Sequence, residues 1–174
     1  MAESDFSLSQ DLLHELFEYR DGMLFWKTTT STKVDRIEQQ AGFLTLKGYR
    51  ALSIGKNATK SVKKQYLVHR LIYMMFYGEM PEILDHIDGN KLNNKIENLR
   101  PANALQNSYN KKNYRNNKTG IKGVNFNKQC GKFFARCQVN KKQNWLGFFP
   151  NLELAEQAVK AFRAKHHGEF ANHG

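Results

Sequence analysis

A chain of 174 residues with 40% apolar content has room for one ordinary domain or two small ones with packed cores. Its longest apolar stretch, 71–77, is far shorter than the roughly 20 residues that span a bilayer, and no basic-then-apolar signal pattern opens it, so a soluble cytoplasmic protein is expected. The net charge of +11 is uneven: residues 1–22 hold six acids against one base, whereas 98–152 hold eleven bases and no acid. Like charges on one surface repel and destabilise the compact state, so this stretch points to a polyanionic partner, nucleic acid ahead of a membrane surface. The two cysteines, Cys130 and Cys137, are too few for a disulfide framework or a four-cysteine zinc site and read as reduced, buried thiols.

In chain order, Ser7-Leu8-Ser9-Gln10 reads as a capping box, and Leu8, Leu12 and Leu16, widened by Leu13 and Phe17, recur at helical spacing. Strand signals follow in Met23-Leu24-Phe25-Trp26, in Phe43-Leu44-Thr45-Leu46 and, after a Lys47-Gly48 turn, from Tyr49 to Ile54. The run from Val68 to Tyr77 is apolar nearly all round and stops at Gly78, which predicts a buried helix. Two short antiparallel strands are expected around Leu84-Asp85-His86 and Asn98-Leu99-Arg100, joined by an asparagine-rich loop. Asn103 can cap a helix carrying Gln106 and Asn107. A polar, basic linker occupies 113–119. Beyond it, three short strands (123–126, 133–139 and 144–148) and a helix capped by Asn151 predict a three-stranded sheet packed on one helix.

The chemistry concentrates at Asp85-His86. The Asp85 carboxylate and the Asn107 amide oxygen are hard donors suited to Mg²⁺, which keeps positions open for water and phosphate. His86 can take a proton near neutral pH if a partner fixes its tautomer, and Asn98 on the facing strand is placed to be that partner. Together these groups suit metal-assisted phosphodiester hydrolysis. The bland alternative reads Asp-His as a strand end and the asparagines as turn residues.

At these positions the sequence resembles the HNH nucleases of the phage homing type. The carrying residues are Val68-His69-Arg70-Leu71, Asp85-His86-Ile87-Asp88-Gly89-Asn90-Lys91-Leu92-Asn93-Asn94, Asn98-Leu99-Arg100 and Gln106-Asn107. The resemblance implies an α+β fold with a ββα-metal nuclease domain, Asp85 and Asn107 as metal ligands, His86 as general base and Asn98 holding it. Asn at position 107 gives an H-N-N variant, which favours Mg²⁺ or Mn²⁺ over zinc. His69 is left between a structural and a functional role, the structural one preferred. His166, His167 and His173 read as surface residues.

The segment 120–174 resembles the AP2/ERF DNA-binding domain in Gly120-Ile121-Lys122-Gly123-Val124, Gly131-Lys132-Phe133-Phe134-Ala135, Trp145-Leu146-Gly147-Phe148-Phe149 and His167-Gly168-Glu169-Phe170-Ala171-Asn172. That resemblance implies a sheet laid into the major groove. Alternation puts Arg136 and Gln138 on a polar face with Asn125, Asn127 and Asn144, where Arg can read guanine and Gln or Asn adenine. Lys122, Lys128, Lys132, Lys141 and Lys142 fall in turns at the rim as phosphate contacts. Trp145 either packs on the helix or lies on the sugar backbone.

The expected organisation is a nuclease region over 1–112 with its core at 66–112, the linker, and a targeting module over 120–174. The expected function is a metal-dependent DNA endonuclease acting on double-stranded DNA in a host cytoplasm, as a monomer, with a dimer left open. The alternatives are a DNA-binding regulator with a decayed nuclease site and a weakly specific phage nuclease.

Overall fold

The computed structural model describes residues 8–28, 37–55, 64–111, 113 and 116–173. Ser7, and Lys112, Tyr114 and Arg115 of the linker region, lie outside them. The chain divides into two compact units, Met1–Pro101 and Ala102–Gly174. No described helix is long and apolar enough to cross a membrane.

The N-terminal unit opens with α1 (Gln10–Leu16), capped by Ser9, whose hydroxyl accepts from the Leu12 N–H. Phe17, expected on the helix, instead begins β1 (Phe17–Arg20), which pairs antiparallel with β2 (Met23–Trp26) through the tight turn at Asp21-Gly22. Gly22 is obligatory there: its φ is 82°, and a Cβ would come 2.8 Å from the Lys95 backbone nitrogen. A second sheet orders β3 (Phe43–Leu44), β4 (Arg50–Ile54) and β5 (Lys64–Leu67) side by side. The last of these carries no expectation from the sequence.

Strand β5 runs directly into α2 (Val68–Tyr77), which ends as expected at Gly78 in the left-handed conformation. Val68, Leu71, Ile72 and Met75 of α2 are buried with Leu13, Phe17, Leu24, Trp26 and Leu52 in one core. Burying each such side chain stabilises by about 1.5–3 kcal/mol before chain entropy is counted. Arg70 faces the other way and donates to the carbonyls of Pro81 (2.7 Å) and Glu82 (3.1 Å), which ties the helix to the segment leading into the next hairpin. That hairpin is β6 (Leu84–His86) against β7 (Leu99–Pro101), pairing Asp85 with Arg100 and His86 with Leu99.

In the C-terminal unit, α3 (Ala104–Tyr109) begins with a full capping box: Asn103 accepts from the Gln106 N–H and the Gln106 side chain accepts from the Asn103 N–H. Strands β8 (Val124–Asn127), β9 (Lys132–Val139) and β10 (Lys142–Phe149) form an antiparallel sheet with β9 central. Helix α4 (Leu152–His167), capped by Asn151, packs its Ala155 and Val159 on Val124, Ala135 and Cys137. Both cysteines are free, and Cys137 is buried as expected, but Cys130 is exposed because it sits in the turn between β8 and β9.

His167 departs from the surface expectation, and Arg163 on the same helix is buried too. His167 is buried, stacked on Tyr109 at 3.7 Å between ring centroids, with Nε2 2.9 Å from the Gln138 carbonyl. Arg163, one turn earlier on α4, is 2% exposed and donates to the Lys122 carbonyl. Gly123 makes room for it, since a Cβ there would lie 2.5 Å from the Arg136 carbonyl and 3.0 Å from the guanidinium.

Candidate active site

Three elements of the N-terminal unit converge on His86. The hairpin supplies Asp85 and His86 from β6, both buried although polar. Helix α2 supplies His69, whose ring lies edge-on to His86 with centroids 4.8 Å apart. From the turn before β4, Tyr49 lies 5.4 Å from His69 and 6.2 Å from His86. Lys91 closes this corner, with its ammonium 4.6 Å above the Tyr49 ring and donating to the Lys47 carbonyl.

The partner expected for His86 is not the one found. Its Nε2 lies 2.9 Å from Oδ1 of Asn94, itself 2% exposed. Asn98 makes three other bonds: its Nδ2 donates to Asp88 Oδ1 (3.0 Å) and to the Asn93 carbonyl (2.7 Å), and its Oδ1 accepts from the Asp88 N–H (3.1 Å). Asn98 therefore shapes the loop 87–98, and the loop carries Asn94 to the imidazole. Burial opposes the Asp88 charge, but hydrogen bonds from Asn93, the Asn90 N–H and Asn98 outweigh it and hold this carboxyl below its ordinary value.

Asp85 also has a partner not anticipated from the sequence. Arg100, directly across the hairpin, donates Nε (3.1 Å) and Nη2 (3.0 Å) to Asp85 Oδ2, with the carboxylate side chain 7% and the guanidinium side chain 12% exposed. The signal for this pair is hairpin register: opposite charges face each other across two antiparallel strands. Asn107 stands on α3, in the C-terminal unit.

His69 is 4% exposed and its Nδ1 has no hydrogen-bond partner among the described residues. Burial, then the neighbouring His86 and Arg70 charges, push its pKa down to about 3. Since the unfolded value is higher, near 6.5, the unfolded chain binds the proton first. Stability is therefore whole above pH 6.5 and is lost as pH falls toward 3, at up to about 1.4 kcal/mol per pH unit. Urea unfolding at pH 7, 5.5 and 4 is expected to show this decline, and His69→Gln to flatten it; an unchanged pH dependence in the variant would contradict the assignment.

In the C-terminal unit the expected DNA contacts separate into groups. Arg136 and Gln138 are exposed on the sheet face away from α4, and Asn125 and Asn127 share that parity, although Asn127 Oδ1 is engaged by the Gln129 N–H in the turn. Lys128, Lys132, Lys141 and Lys142 are exposed at turns and strand ends. Asn144 does not join them: it pairs with buried Cys137, hence on the α4 side, and donates to the carbonyls of Cys137 and Lys142. Gln143, opposite Gln138, takes the outer position. Nor is Lys122 a rim lysine. Its ammonium donates to the carbonyls of Tyr109, Lys111 and Asn172, and burial beside Arg163 pushes its pKa down to about 8. Trp145 is 56% exposed and pairs with Arg136, on the face away from α4.

The family model described as HNH endonuclease matches residues 66–109, a span that runs from β5 through α2 and the hairpin to α3. Protein 3.8 of Escherichia phage T7 is 32% identical over 119 residues, covering 64% of this chain and 96% of the phage protein. The chain carries an HNH endonuclease domain. An uncharacterised HNH endonuclease of Acanthamoeba polyphaga mimivirus is 35% identical over 107 residues, 60% of this chain and 54% of its own. An SPbeta prophage-derived protein of Bacillus subtilis (strain 168), named as a candidate HNH homing endonuclease, is 34% identical over 88 residues, 48% of this chain and 50% of its own. The chain thus spans about half the length of these last two relatives. No solved structure matches it. The HNH domain lies in a mixed α/β fold, and the buried Asp85-His86 hairpin falls inside the matched span.

Proposed function

We propose that this HNH protein is a divalent-metal-dependent DNA endonuclease of the phage homing type, acting in the host cytoplasm, with His86 as general base. The observation that carries this reading is a buried imidazole whose Nε2 is fixed by the Asn94 amide oxygen. An amide oxygen only accepts, so Nε2 carries the proton and the lone pair stands on Nδ1. That nitrogen takes the proton of a water as the water attacks phosphorus. His69, pushed toward neutrality at 4.8 Å, adds no competing charge as the imidazolium forms.

Asp85 and Asn107 are the proposed ligands of Mg²⁺ or Mn²⁺. The fit rests on donor chemistry: both offer oxygen, and Arg100, which donates to one oxygen of Asp85, is the charge with which a cation would compete. The described residues contain no cluster of three or more His, Cys, Asp or Glu side chains that could hold a metal, so most of the shell would come from amide, water and phosphate oxygens. When bound, the cation would stabilise charge on the leaving 3′ oxygen. An AP2/ERF-like role for the C-terminal unit rests on the sequence resemblance, and the acid-free stretch 98–152 supports a role in holding DNA.

A supercoiled plasmid incubated with the protein and Mg²⁺ is expected to be nicked or linearised, and to remain intact in EDTA. Cut ends are expected at one or a few sequences. Scattered ends would overturn the homing assignment, and a plasmid bound but uncut at every divalent cation would overturn the nuclease reading in favour of a binding protein.

A further inference from the structure

Strict alternation along β10 puts Trp145 and Phe148 on opposite faces, because they are three residues apart. The structure puts them on the same face. Trp145 pairs with Arg136 and Phe148 with Phe134, and the register slips between Trp145 and Gly147, so Leu146 is the extra residue of a β-bulge. Gly147 accommodates it at φ 119°. Leu146 joins the core under the sheet, and both aromatic rings return to the outer face.

There they meet a third ring. Phe134 and Trp145 lie 5.3 Å apart with planes 24° from parallel, and Phe148 stands edge-on to both at 6.3 and 5.2 Å. Trp145 is 56% and Phe148 50% exposed. The Arg136 guanidinium lies 5.9 Å from the Phe134 ring centre, and Gln138 and Gln143 face each other on the adjoining rung.

Contiguous exposed rings on a soluble protein mark a surface that something covers. Two features identify the occupant. The surrounding chain has eleven positive charges and no negative one between Glu97 and Glu153, which selects a polyanion. The rings select base faces, which a duplex keeps stacked inside and presents to a groove only as edges, whereas a single strand offers them freely. Rings flanked by cations and amides on a flat sheet can hold all three parts of an unpaired nucleotide.

We propose that the outer face of the C-terminal sheet is a stacking platform for unpaired nucleotides. Trp145, Phe148 and Phe134 receive base faces, Arg136 receives the intervening phosphate, and Gln138 and Gln143 meet base edges. The proposal rests on the endonuclease reading for DNA as the nucleic acid, and it names the form of that DNA: one with a locally opened strand, such as a gap or a fork.

The test is binding by the full chain in EDTA, so that no cleavage intervenes. Three probes of equal length are compared by anisotropy: an oligothymidylate, an abasic oligomer with the same phosphates and no bases, and a blunt duplex. Indole emission reports the site, because the other tryptophan, Trp26, is 5% exposed and lies in the N-terminal unit. The oligothymidylate is expected to bind at least about tenfold more tightly than the abasic strand and to quench emission. Trp145→Ala should remove about tenfold from thymidylate binding and nothing from abasic binding, while Trp145→Phe, which keeps a ring, should retain most of it. Equal affinity for the thymidylate and abasic strands would overturn the proposal, as would tighter binding of the blunt duplex without quenching. Failure of the nuclease reading shows separately, as an uncut plasmid in Mg²⁺.

Discussion

Alanine at position 86 is expected to slow strand cleavage by about 10²- to 10⁴-fold, the range that a positioned general base contributes, with DNA binding in EDTA unchanged. The imidazole is buried, in contact with His69, and held at Nε2 by Asn94, so its loss removes the positioned base. Single-turnover cleavage on saturating DNA measures the effect. Removing the ring also strands the buried Asn94 oxygen, which costs about 1–3 kcal/mol of stability, so a thermal melt accompanies the rate. Asn94→Ala separates the two effects: it keeps the base and releases its tautomer, and a loss of about 10- to 100-fold is expected. Asn98→Ala should act chiefly through stability, because its three bonds go to Asp88 and Asn93. A larger rate loss in Asn98→Ala than in Asn94→Ala, with both variants folded, would reverse the roles assigned to the two asparagines.

Arg100→Met carries the second large effect. Asp85 is buried and Arg100 partly so, and removing one partner of a buried pair costs up to about 3–5 kcal/mol because the other charge stays in a poorly solvating place. Urea unfolding should show a loss of this size. The double variant Asp85→Asn, Arg100→Met leaves no buried charge at the pair and should recover part of it. Millimolar Mg²⁺ offers a further reading. A cation bound at Asp85 stabilises the folded state by about 2.7 kcal/mol at a hundredfold excess over its dissociation constant. Without the Arg100 charge beside the carboxylate, Mg²⁺ should stabilise Arg100→Met more than the parent. Equal stabilisation of both would contradict Asp85 as a metal ligand.

The sequence made the elements around the site legible and left its contacts harder to read. Helix α2 was marked by its apolar run and by Gly78, and the hairpin by short strands flanking an asparagine-rich loop, because these are local signals. Which asparagine meets His86 was not local. Asn98 is nearer the strand, but the loop folds back on Asp88 and occupies its amide, and Asn94 reaches the ring from mid-loop. The Asp85–Arg100 pair was within reach of register counting. In the C-terminal unit, alternation placed Arg136 and Gln138 correctly and failed for Asn144, which pairs with a buried cysteine. It failed again past the bulge at Leu146, where one extra residue reverses the facing of everything after it. Lys122 looked like a rim charge because a sequence shows a lysine but not the three carbonyls that converge on it.

The claim that Asp85-His86 is a centre for phosphodiester hydrolysis is tested most directly by cutting a supercoiled plasmid with the parent protein and Mg²⁺ in oxygen-18-labelled water and weighing the new ends. Attack by water with loss of the 3′ oxygen predicts 3′-hydroxyl ends and one heavy oxygen in each new 5′-phosphate. Unlabelled 5′ ends, 3′-phosphate ends, or a plasmid that stays intact would contradict it.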